Sequence, residues 1–367
     1  MNDKPTGIVR DDRYLLHHMG AGHPESPDRL AAVYAMLDGG RGPGLCPGGQ
    51  FRREGSSLDG EIGLPLRIIE PRPARRDEIE YVHAREYFDF AAATAGRDFV
   101  VLDPDTAATP RTFETALLAA GGAIEAADAV LRGDVRNAFA LVRPPGHHAE
   151  VNQAKGFCVF NNVAVAAEHL LRRAGGIERV LIADWDLHHG NGTQHAFYSR
   201  RDVLYFSTHQ SPFYPGTGSR DETGAGAGEG FTVNVPLRAG KNDGDYLYIY
   251  RNLLGPIARA YAPQFILVSA GFDIDRGDPL GGMFVSEAGF SALAAEFVAM
   301  AEALCGGRLL FVLEGGYNPA GLSAGVREVL RRMTGLTPSP QVKTDITAET
   351  GYEIEAVVDI QKRYWPV

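Results

Sequence analysis

The sequence predicts an α/β fold in which helices cover both faces of one parallel sheet. Short apolar runs alternate with longer segments of helical periodicity through most of the chain. Strand–helix–strand repetition of this kind builds a parallel sheet through right-handed crossovers. Several of the apolar runs also end in Gly-containing turns that carry His, Asp or Tyr. Because open α/β sheets place their sites at the carboxyl ends of strands, a functional site is expected there.

The N-terminal third of the chain contains fewer strand signals than the rest. Up to about residue 75 the sequence is rich in Gly and Pro and weakly periodic, so mostly turns are expected there. Helical patterns follow, and the last of them ends at Gly133. The predicted elements are a helix over 29–37, a surface loop over 39–49, one or two helices over 77–96, a loop over 98–110 and a long helix over 112–131.

Beyond Gly133, apolar runs and helical segments alternate regularly. Short continuous apolar runs predict strands that are buried on both faces of the sheet. The strands are predicted over 138–142, 180–183, 203–207, 231–235, 265–269 and 309–313, and the helices over 162–173, 243–261, 287–304 and 319–333. No repeat or linker divides this region, so residues 1–336 are predicted to form one domain that carries the site. Residues 337–367 are predicted to be an extension, with a helix, that packs on this domain.

The amino-acid composition limits the kinds of ligand and the cellular compartments that are expected for this protein. Lys and Arg number 36 against 46 Asp and Glu, giving a formal net charge of −10, which argues against direct nucleic-acid binding. The three cysteines are widely spaced without a CxxC motif, as expected in a reducing compartment. The N-terminus lacks an apolar signal core, and no uninterrupted run reaches the roughly 18 apolar residues of a membrane span. We therefore expect a cytoplasmic protein without a membrane partner.

The stretch from Val180 to Gly192 (VLIADWDLHHGNG) is the centre of the predicted site. Side chains alternate along a strand, so Asp184, Asp186 and His188 would project from one face. The simpler interpretation is that an Asp caps the next turn and the His is an ordinary buried polar residue. Two buried carboxylates without compensation are costly, however, and a metal ion would compensate them. An Asp–His ligand pair suits zinc, iron(II) or manganese better than calcium.

A catalytic metal takes about three protein ligands and keeps a position open for water. Asp186 and His188 supply two ligands, and Asp273, which follows the strand predicted over 265–269, is the natural third. Asp184 would lie on the same face and either steady a histidine or contribute to a site for a monovalent cation.

The tandem His147-His148 follows a Pro-Pro-Gly turn at the end of another predicted strand. The two histidines could be surface residues; beside a metal they could take and return the proton of an activated water. Asp184 and Asn191 are candidate partners for their far nitrogens. A carboxylate partner favours an imidazolium, whereas an amide leaves its histidine closer to neutral. If His147 pairs with Asp184 and His148 with Asn191, His148 is the better general base.

Aromatic residues follow other strands. Tyr317 comes directly after Gly315-Gly316, so its phenol could donate a hydrogen bond to a carbonyl oxygen that becomes an oxyanion; alternatively it is an aromatic of the rim. Taken together, the candidate residues describe metal-assisted hydrolysis of an amide.

Two further segments could form the walls of a narrow substrate tunnel. One is Gly156-Phe157 and the other is Phe213-Tyr214. Gly315, Gly316 and Leu280 are assigned to the same tunnel. Aromatics of this kind, taken alone, are more often core residues.

These motifs resemble the histone deacetylase family of zinc amidohydrolases. The resemblance spans residues 23 to about 330, nearly the whole chain. The matching segments are HPESPDRL, RPPGHHAE, KGFCVFNNVAVAA, DWDLHHGNGTQ, STHQSPFYPGTG, SAGFDIDRGDPLGG and LEGGYN. The resemblance implies an arginase-like single domain around an eight-stranded parallel sheet.

The resemblance also implies a role for each matching residue. By this resemblance the zinc ligands are Asp186, His188 and Asp273, the catalytic dyad is His147 and His148, and the carbonyl-polarising phenol is Tyr317. The tunnel walls are Phe157 and Tyr214, and Arg29 is part of the floor from which acetate leaves. A structural potassium site is formed by Asp184 and Ser207 with backbone groups near His188. One or two potassium ions are expected. At position 214 the family usually has Phe.

Two positions narrow the subclass. Asn191 stands where the class I pattern has Asp, which, with the GGYN context of Tyr317, is similar to the class II and bacterial deacetylase-like branch. Leu280 stands at the position where the polyamine-specific deacetylases resemble one another in having a Glu, which acts as a gatekeeper. The substrate is therefore expected to be an acetylated lysine side chain or a similar small acetylated amine, with an acetylpolyamine as the alternative. The Ala-, Gly- and Arg-rich composition favours a bacterial source.

Two rival interpretations remain. A dimanganese ureohydrolase of the arginase type would leave Tyr317 and the tandem histidines unexplained. A catalytically silent scaffold or acyl-ligand sensor would be expected to have lost one of the site residues, and all are present. Asp103 and Asp105, within 98–110, are weak candidates for accepting a substrate backbone N–H. The sequence is compatible with a homo-oligomer and leaves the oligomeric state open.

Overall fold

The computed structural model describes residues 4–39, 63–173, 176–336, 342 and 345–367. Within these residues, ten strands form two sheets. They are β1 (Thr6–Val9), β2 (Leu66–Ile69), β3 (Val100–Asp103), β4 (Thr106–Ala108), β5 (Ala138–Ala140), β6 (Val180–Asp184), β7 (Val203–Gln210), β8 (Thr232–Leu237), β9 (Phe265–Ala270) and β10 (Leu309–Leu313). Eight of these strands form one sheet in the order β2-β1-β5-β10-β9-β6-β7-β8, with parallel pairing throughout.

Helices fill most of the connections between the strands. They are α1 (Pro27–Leu37), α2 (Arg76–Ile79), α3 (Arg85–Ala92), α4 (Thr112–Leu131), α5 (Asn162–Arg173), α6 (Asn191–Phe197), α7 (Asp243–Ile249), α8 (Gly255–Tyr261), α9 (Glu287–Cys305), α10 (Pro319–Met333) and α11 (Ala348–Gln361). A short 3₁₀ helix covers Asp12–Leu16, and a π-helical turn at Tyr250–Leu254 joins α7 to α8. The predicted α/β fold and eight-stranded parallel sheet are confirmed.

The central strands are apolar because both of their faces are covered. All residues of β6, β9 and β10 are buried, and the core includes large aromatics such as Trp185, Phe272 and Phe311. A strand with two covered faces has no reason to alternate polar and apolar residues. For this reason these three strands were predicted almost residue for residue.

Several local predictions need correction. The region to residue 75 was expected to consist mostly of turns, but it contributes the edge strands β1 and β2. The predicted loop over 98–110 is an antiparallel hairpin of β3 and β4. The predicted helix over 243–261 is interrupted by the π-helical turn, and α6 was not predicted. Strands of three or four residues give too few alternations for periodicity to detect. The loop predicted over 39–49 lies outside the described residues except at Gly39.

The C-terminal segment contacts the main sheet through α11 and the residues after it. The buried Lys241 ammonium lies 2.8 Å from a Glu353 carboxylate oxygen of α11. Further on, Trp365 donates its Nε1–H to the Gly230 carbonyl at 2.7 Å and packs edge-to-face on Phe231. Residues 345–367 therefore pack on the core. A domain boundary at 336/337 stays a prediction, because residues 337–341, 343 and 344 are not described.

Among the described residues, α9 is the one helix that meets the length and composition expected of a membrane span. Its most apolar window has a mean hydropathy of 1.5, and half of that window is buried inside the protein. Core helices of globular proteins meet the same criteria, so this feature is weak evidence for a membrane segment.

Candidate active site

The candidate site lies at the carboxyl ends of four strands that are neighbours in the sheet, β5, β10, β9 and β6. Each of these strands runs directly into one of the polar motifs found in the sequence. Parallel strands present their carboxyl ends at one edge, so the four motifs converge. The convergence predicted from the sequence is therefore present in the structure.

The predicted metal ligands Asp186, His188 and Asp273 form a buried cluster. Their candidate ligand atoms all lie within 4.8 Å of one another. His188 Nδ1 lies 3.1 Å from Asp186 Oδ1 and 3.1 Å from Asp273 Oδ2. Three ligand atoms therefore surround one small volume at the strand ends.

The donor set of this cluster fits a divalent cation such as zinc. Burial and the nearby charge of Asp186 raise the pKa of Asp273 to about 7, so a bound cation would favour the ionised form of this carboxyl. Backbone N–H groups hold the outer oxygens: Leu187 donates to Asp273 Oδ1 at 2.9 Å and Gly315 donates to Asp186 Oδ2 at 2.8 Å. Two carboxylate oxygens and one imidazole nitrogen are ligands that zinc accepts.

Gly315 allows the β10 turn to approach the two carboxylates closely. A Cβ atom at position 315 would lie 2.3 Å from Asp273 Oδ2 and 2.6 Å from Asp186 Oδ2. Such distances are far below van der Waals contact, so no other residue fits without movement of the ligands. The sequence reading assigned Gly315 to the substrate tunnel; the structure places it directly beside the ligand pair.

His147 and His148 lie side by side, with ring centroids 4.0 Å apart. His147 Nδ1 lies 3.1 Å from Asp184 Oδ2, and His148 Nδ1 lies 2.7 Å from Asn191 Oδ1. These are the two pairings that were put forward conditionally from the sequence. The remaining nitrogen of His147, Nε2, lies 3.7 Å from Asp186 Oδ1, so this imidazole borders the ligand cluster.

The two histidines differ in charge state because their surroundings differ. Burial disfavours a charged imidazole at His147, but the carboxylates of Asp186 and Asp184 outweigh it and raise the pKa of His147 to about 10. Burial, together with the positive charges of His147 and His188, holds the pKa of His148 well below its ordinary value. These surroundings favour a charged imidazole at His147 and a neutral one at His148.

Tyr317 is positioned by a buried arginine. The guanidinium of Arg29 lies 4.9 Å from the centroid of the Tyr317 ring. Arg29 also donates from Nε to the Gly316 carbonyl and from Nη2 to the Glu314 carbonyl, both at 2.6 Å. Burial raises the pKa of Tyr317 well above its ordinary value, so the phenol keeps its proton and can donate it in a hydrogen bond.

Arg29 belongs to a buried ion network beneath Tyr317. Glu25 Oε1 accepts hydrogen bonds from Arg29 Nη1 at 3.0 Å and from Arg143 Nε at 2.6 Å. Arg143 Nη2 binds the other carboxylate oxygen at 2.7 Å. All three side chains are almost completely buried, so the network fixes α1 against the turn that follows β5.

Two further carboxylates hold the catalytic turns, and sequence reasoning missed both. Glu314 Oε2 accepts the backbone N–H groups of Gly146 at 2.6 Å and His147 at 3.1 Å. Asp278 Oδ2 accepts the N–H of Tyr317 at 2.6 Å. The sequence does place Glu314 at a strand end directly before Gly-Gly and Asp278 inside a Gly-Asp-Pro turn. Neither pattern indicates which group the carboxylate binds.

Aromatic side chains border the cluster, as predicted for a tunnel wall. Tyr214 meets the His148 ring edge-on at 5.2 Å, and Phe213 stacks on His188 at 5.5 Å. Phe157 lies edge-on to Tyr317 at 5.7 Å and has a positive φ of 67°. A non-glycine residue in this left-handed region is uncommon and often marks a functional site.

The turn that carries Phe157 also requires its preceding glycine. Gly156 has φ of +55°, and a Cβ there would lie 2.3 Å from Cδ2 of His148. The hairpin β3–β4 holds this turn, since Asp105 Oδ1 accepts the Gly156 N–H at 3.1 Å and Thr106 Oγ1 accepts the Phe157 N–H at 3.0 Å. Asp103 instead accepts a hydrogen bond from the Gln153 side chain.

The remaining candidates lie around this centre. Asp184 and Ser207 are direct neighbours across β6 and β7, and the Ser207 hydroxyl lies 3.0 Å from His209 Nδ1. Leu280 lies in the turn after β9, where its N–H donates to Asp278 Oδ1 at 2.9 Å. These contacts place all three near the strand ends that carry the site.

Comparison with known proteins identifies the class of this site. The family model described as the histone deacetylase domain matches residues 23–333. Histone deacetylase 15 of Arabidopsis thaliana is 40% identical over 372 residues, which cover 98% of this chain and 63% of that protein. A probable deacetylase of Archaeoglobus fulgidus is 43% identical over 316 residues, covering 86% of this chain and 82% of that protein.

A solved structure agrees with these matches. The crystal structure of the HDA15 HD domain superposes with a TM-score of 0.87 at 39% identity, and the match covers 99% of this chain and 97% of that one. Fold and site define a parallel-sheet α/β enzyme with a buried carboxylate–imidazole centre. The chain belongs to the histone deacetylase family, whose enzymes hydrolyse acetylated substrates.

The relatives differ in length and in source. This chain spans 63% of the Arabidopsis protein and 44% of histone deacetylase HDA1 of Candida albicans, but 82% of the archaeal protein. The similar proteins named here come from a plant, a yeast and an archaeon, so the predicted bacterial source stays a prediction. The subclass and the identity of the metal also stay predictions.

Proposed function

We propose that this chain is a zinc-dependent deacetylase that hydrolyses acetylated lysine side chains, or similar small acetylated amines, and releases acetate. The observation that carries the proposal is the contact between two parts of the site. A cluster of ligands suited to one divalent ion lies beside a histidine pair in which His147 contacts a carboxylate and His148 contacts an amide. Hydrolysis of an amide needs both a base for water and an electrophilic stabiliser.

Asp186, His188 and Asp273 would hold the ion. When bound, zinc acts as a Lewis acid on the amide carbonyl and lowers the pKa of water. Asp184 and Ser207 are proposed to belong to a potassium site, as their positions across β6 and β7 allow. One ion in the ligand cluster, not two, is expected because the cluster supplies three ligands.

The side chains around this cluster divide the remaining work. His148 is neutral and takes the proton of the attacking water at Nε2, because its Nδ1 is engaged with Asn191. The Tyr317 hydroxyl donates a hydrogen bond to the carbonyl oxygen as that oxygen gains negative charge. His147 keeps its positive charge against Asp184. The proton on His148 then passes to the amine nitrogen as the C–N bond breaks, which leaves acetate and a free amine.

Leu280 favours acetyl-lysine over acetylpolyamines as substrate. A polyamine carries an internal ammonium, which needs an anionic partner within the tunnel. The side chain at position 280 is aliphatic and supplies none. Aromatic walls at Phe157 and Tyr214 suit the apolar methylene chain of an acyl-lysine.

The test is a panel of acetyl-lysine peptides, N-acetylputrescine and acetylspermidine, assayed with purified protein after metal removal and after reloading with zinc, iron(II) or manganese. We expect zinc to restore hydrolysis of acetyl-lysine peptides at one ion per chain. His148→Ala and Tyr317→Phe are each expected to lower kcat by about 10²-fold or more. Faster turnover of the polyamines would overturn the substrate assignment, and two manganese ions per chain would overturn the metal assignment.

A further inference from the structure

A chain of hydrogen bonds leads from His148 to the protein surface. His148 Nδ1 lies 2.7 Å from Asn191 Oδ1. The amide nitrogen of Asn191 donates to Glu150 Oε1 at 2.5 Å and to the His148 carbonyl at 3.2 Å. Both oxygens of Glu150 lie 2.9 Å from Nδ1 of His195, whose side chain is half exposed. Asn191 and His195 stand one turn apart on α6, and Glu150 follows the histidine turn by two residues.

Asn191 alone could not specify the tautomer of His148. An amide presents an oxygen acceptor on one side and an NH₂ donor on the other, and it can rotate to exchange them. With its oxygen toward His148, the imidazole carries its proton on Nδ1 and has a free lone pair on Nε2. With its nitrogen toward His148, the proton would move to Nε2, and the base would have no lone pair for water.

Glu150 removes most of this ambiguity, because an ionised carboxylate only accepts hydrogen bonds and this one lies 2.5 Å from the Asn191 amide nitrogen, closer than the other acceptor, the His148 carbonyl, at 3.2 Å. It therefore selects the NH₂ side of Asn191, and the Asn191 oxygen must face His148. The opposite rotation would bring two oxygen acceptors to 2.5 Å of each other. Burial alone would favour a protonated Glu150, but hydrogen bonds from His195 and Asn191 outweigh it and lower the pKa of this carboxyl. The carboxylate is thus ionised near neutral pH.

We propose that Glu150 is a positioning residue: by accepting the Asn191 amide N–H it fixes the rotation of that amide, and so holds His148 in the tautomer with a free Nε2. The outer partner, His195, holds the Glu150 carboxylate in place. This inference depends on the proposed role of His148 as general base and extends it to two residues outside the site.

The first test compares Glu150→Ala with Glu150→Gln on the zinc-loaded enzyme. Glu150→Ala is expected to lower kcat by about 10-fold, a part of what a general base contributes, with KM changed less than about two-fold. Glu150→Gln keeps an oxygen that can accept the Asn191 N–H but adds an NH₂ group that can donate to the Asn191 oxygen, so a loss of kcat smaller than that of Glu150→Ala is expected. Equal losses in the two variants, or no loss in Glu150→Ala, would overturn the proposal.

Asp128→Ala is the matched control for loss of a carboxylate–histidine pair. Asp128 Oδ1 lies 2.8 Å from His169 Nε2, and the pair joins α4 to α5 away from the site. Thermal unfolding compares the stability of Asp128→Ala with that of Glu150→Ala, and the kcat of Asp128→Ala is expected to stay at the level of the unaltered enzyme. A fall in kcat equal to that of Glu150→Ala would assign the effect to general destabilisation.

The second test asks whether Glu150 acts through Asn191. If it does, Asn191→Ala already removes the group that Glu150 orients, and the double variant Asn191→Ala/Glu150→Ala should lose no more kcat than Asn191→Ala alone. Additive losses would show that Glu150 acts by another route and would refute the positioning role.

The third test does not depend on turnover. Nitrogen chemical shifts of ¹⁵N-labelled histidine distinguish the two tautomers, and His148→Ala assigns the signal. We expect the Nδ1–H form in the unaltered protein and a mixture of the two tautomers in Glu150→Ala. An unchanged His148 signal in Glu150→Ala would refute the proposal. If the protein hydrolysed no acetylated amide at all, the proposed function would fail while these shifts still reported on Glu150.

Discussion

The floor and the rim of the site are built in different ways. The floor, formed by Asp186, His188, Asp273 and Glu314, follows directly from strand ends, and these residues are 0 to 7% exposed. The rim, formed by Phe157, Phe213 and Tyr214, comes from loops, and Phe213 is 39% exposed. Side chains of the floor are fixed by backbone N–H groups, whereas the rim contacts are mainly between rings. We therefore expect the chemistry to depend on the buried floor and substrate selection to depend on the more exposed rim.

The largest effect should come from removing a ligand in the floor. Asp186→Ala leaves His188 and Asp273 without the third donor, so we expect loss of bound zinc and a fall in kcat/KM of about 10³-fold or more, in line with several kcal/mol of metal-derived stabilisation. Elemental analysis and peptide deacetylation measure the two losses. A full zinc content in this variant would contradict the ligand assignment.

The next largest effect is expected on the stability of the protein, through the buried ion network beneath the floor. Glu25→Gln leaves Arg29 and Arg143 buried without their shared carboxylate, which should cost about 3–5 kcal/mol in the free energy of unfolding. Burial opposes ionisation of Glu25, but Arg143 outweighs it and holds the pKa of Glu25 well below 4.5. The contribution of Glu25 is therefore fully present above about pH 4.5 and is lost as the pH falls below it.

Denaturant unfolding at a series of pH values measures this contribution. The difference between the unaltered protein and Glu25→Gln should be constant near neutral pH and should shrink as the solution is acidified below pH 4.5. A difference that grew on acidification would show that the sign of the pKa change had been misjudged.

A smaller effect is expected from adding one methyl group to the floor. Gly315→Ala places a Cβ against both ligand carboxylates, so the ligands must shift. Because outer contacts of metal ligands contribute about 10- to 100-fold to metal affinity or activity, we expect weaker zinc binding by about 10-fold. Competition with a chelator measures the affinity, and Gly335→Ala, at a remote turn, is the control for glycine replacement. Unchanged affinity would mean that the floor is less rigid than its contacts indicate.

The smallest effect should come from the rim. Phe213→Ala removes a half-exposed ring that stacks on His188, so KM for an acetyl-lysine peptide should rise about three-fold, in line with the 0.5–1.5 kcal/mol of an aromatic contact, with kcat little changed. Steady-state kinetics separates the two parameters. A large loss of kcat would show that Phe213 contributes to the chemical step, as the floor residues are expected to do, and would contradict the division between floor and rim.

Sequence reasoning was most successful where one strand supplied several constraints at once. The spacing of Asp184, Asp186 and His188 predicted the site at the end of one strand. Strand β6 ends at Asp184, and Asp186 and His188, which follow it, form the cluster with Asp273. The edge strands β1 and β2 were missed, since four residues next to turns carry little periodicity. Glu150, Asp278 and Glu314 were missed because their partners are backbone or amide groups, which leave no trace in local spacing.

The two glycines pressed against the site have a practical consequence for mutational scanning. Replacement with alanine usually trims a side chain and reports what was lost. At positions 156 and 315 the same replacement adds an atom where a histidine ring or a carboxylate already lies. A scan would score both positions as intolerant even though neither contributes a functional group. Positions 156 and 315 therefore require the absence of a side chain, because neighbouring side chains already fill the space beside the backbone.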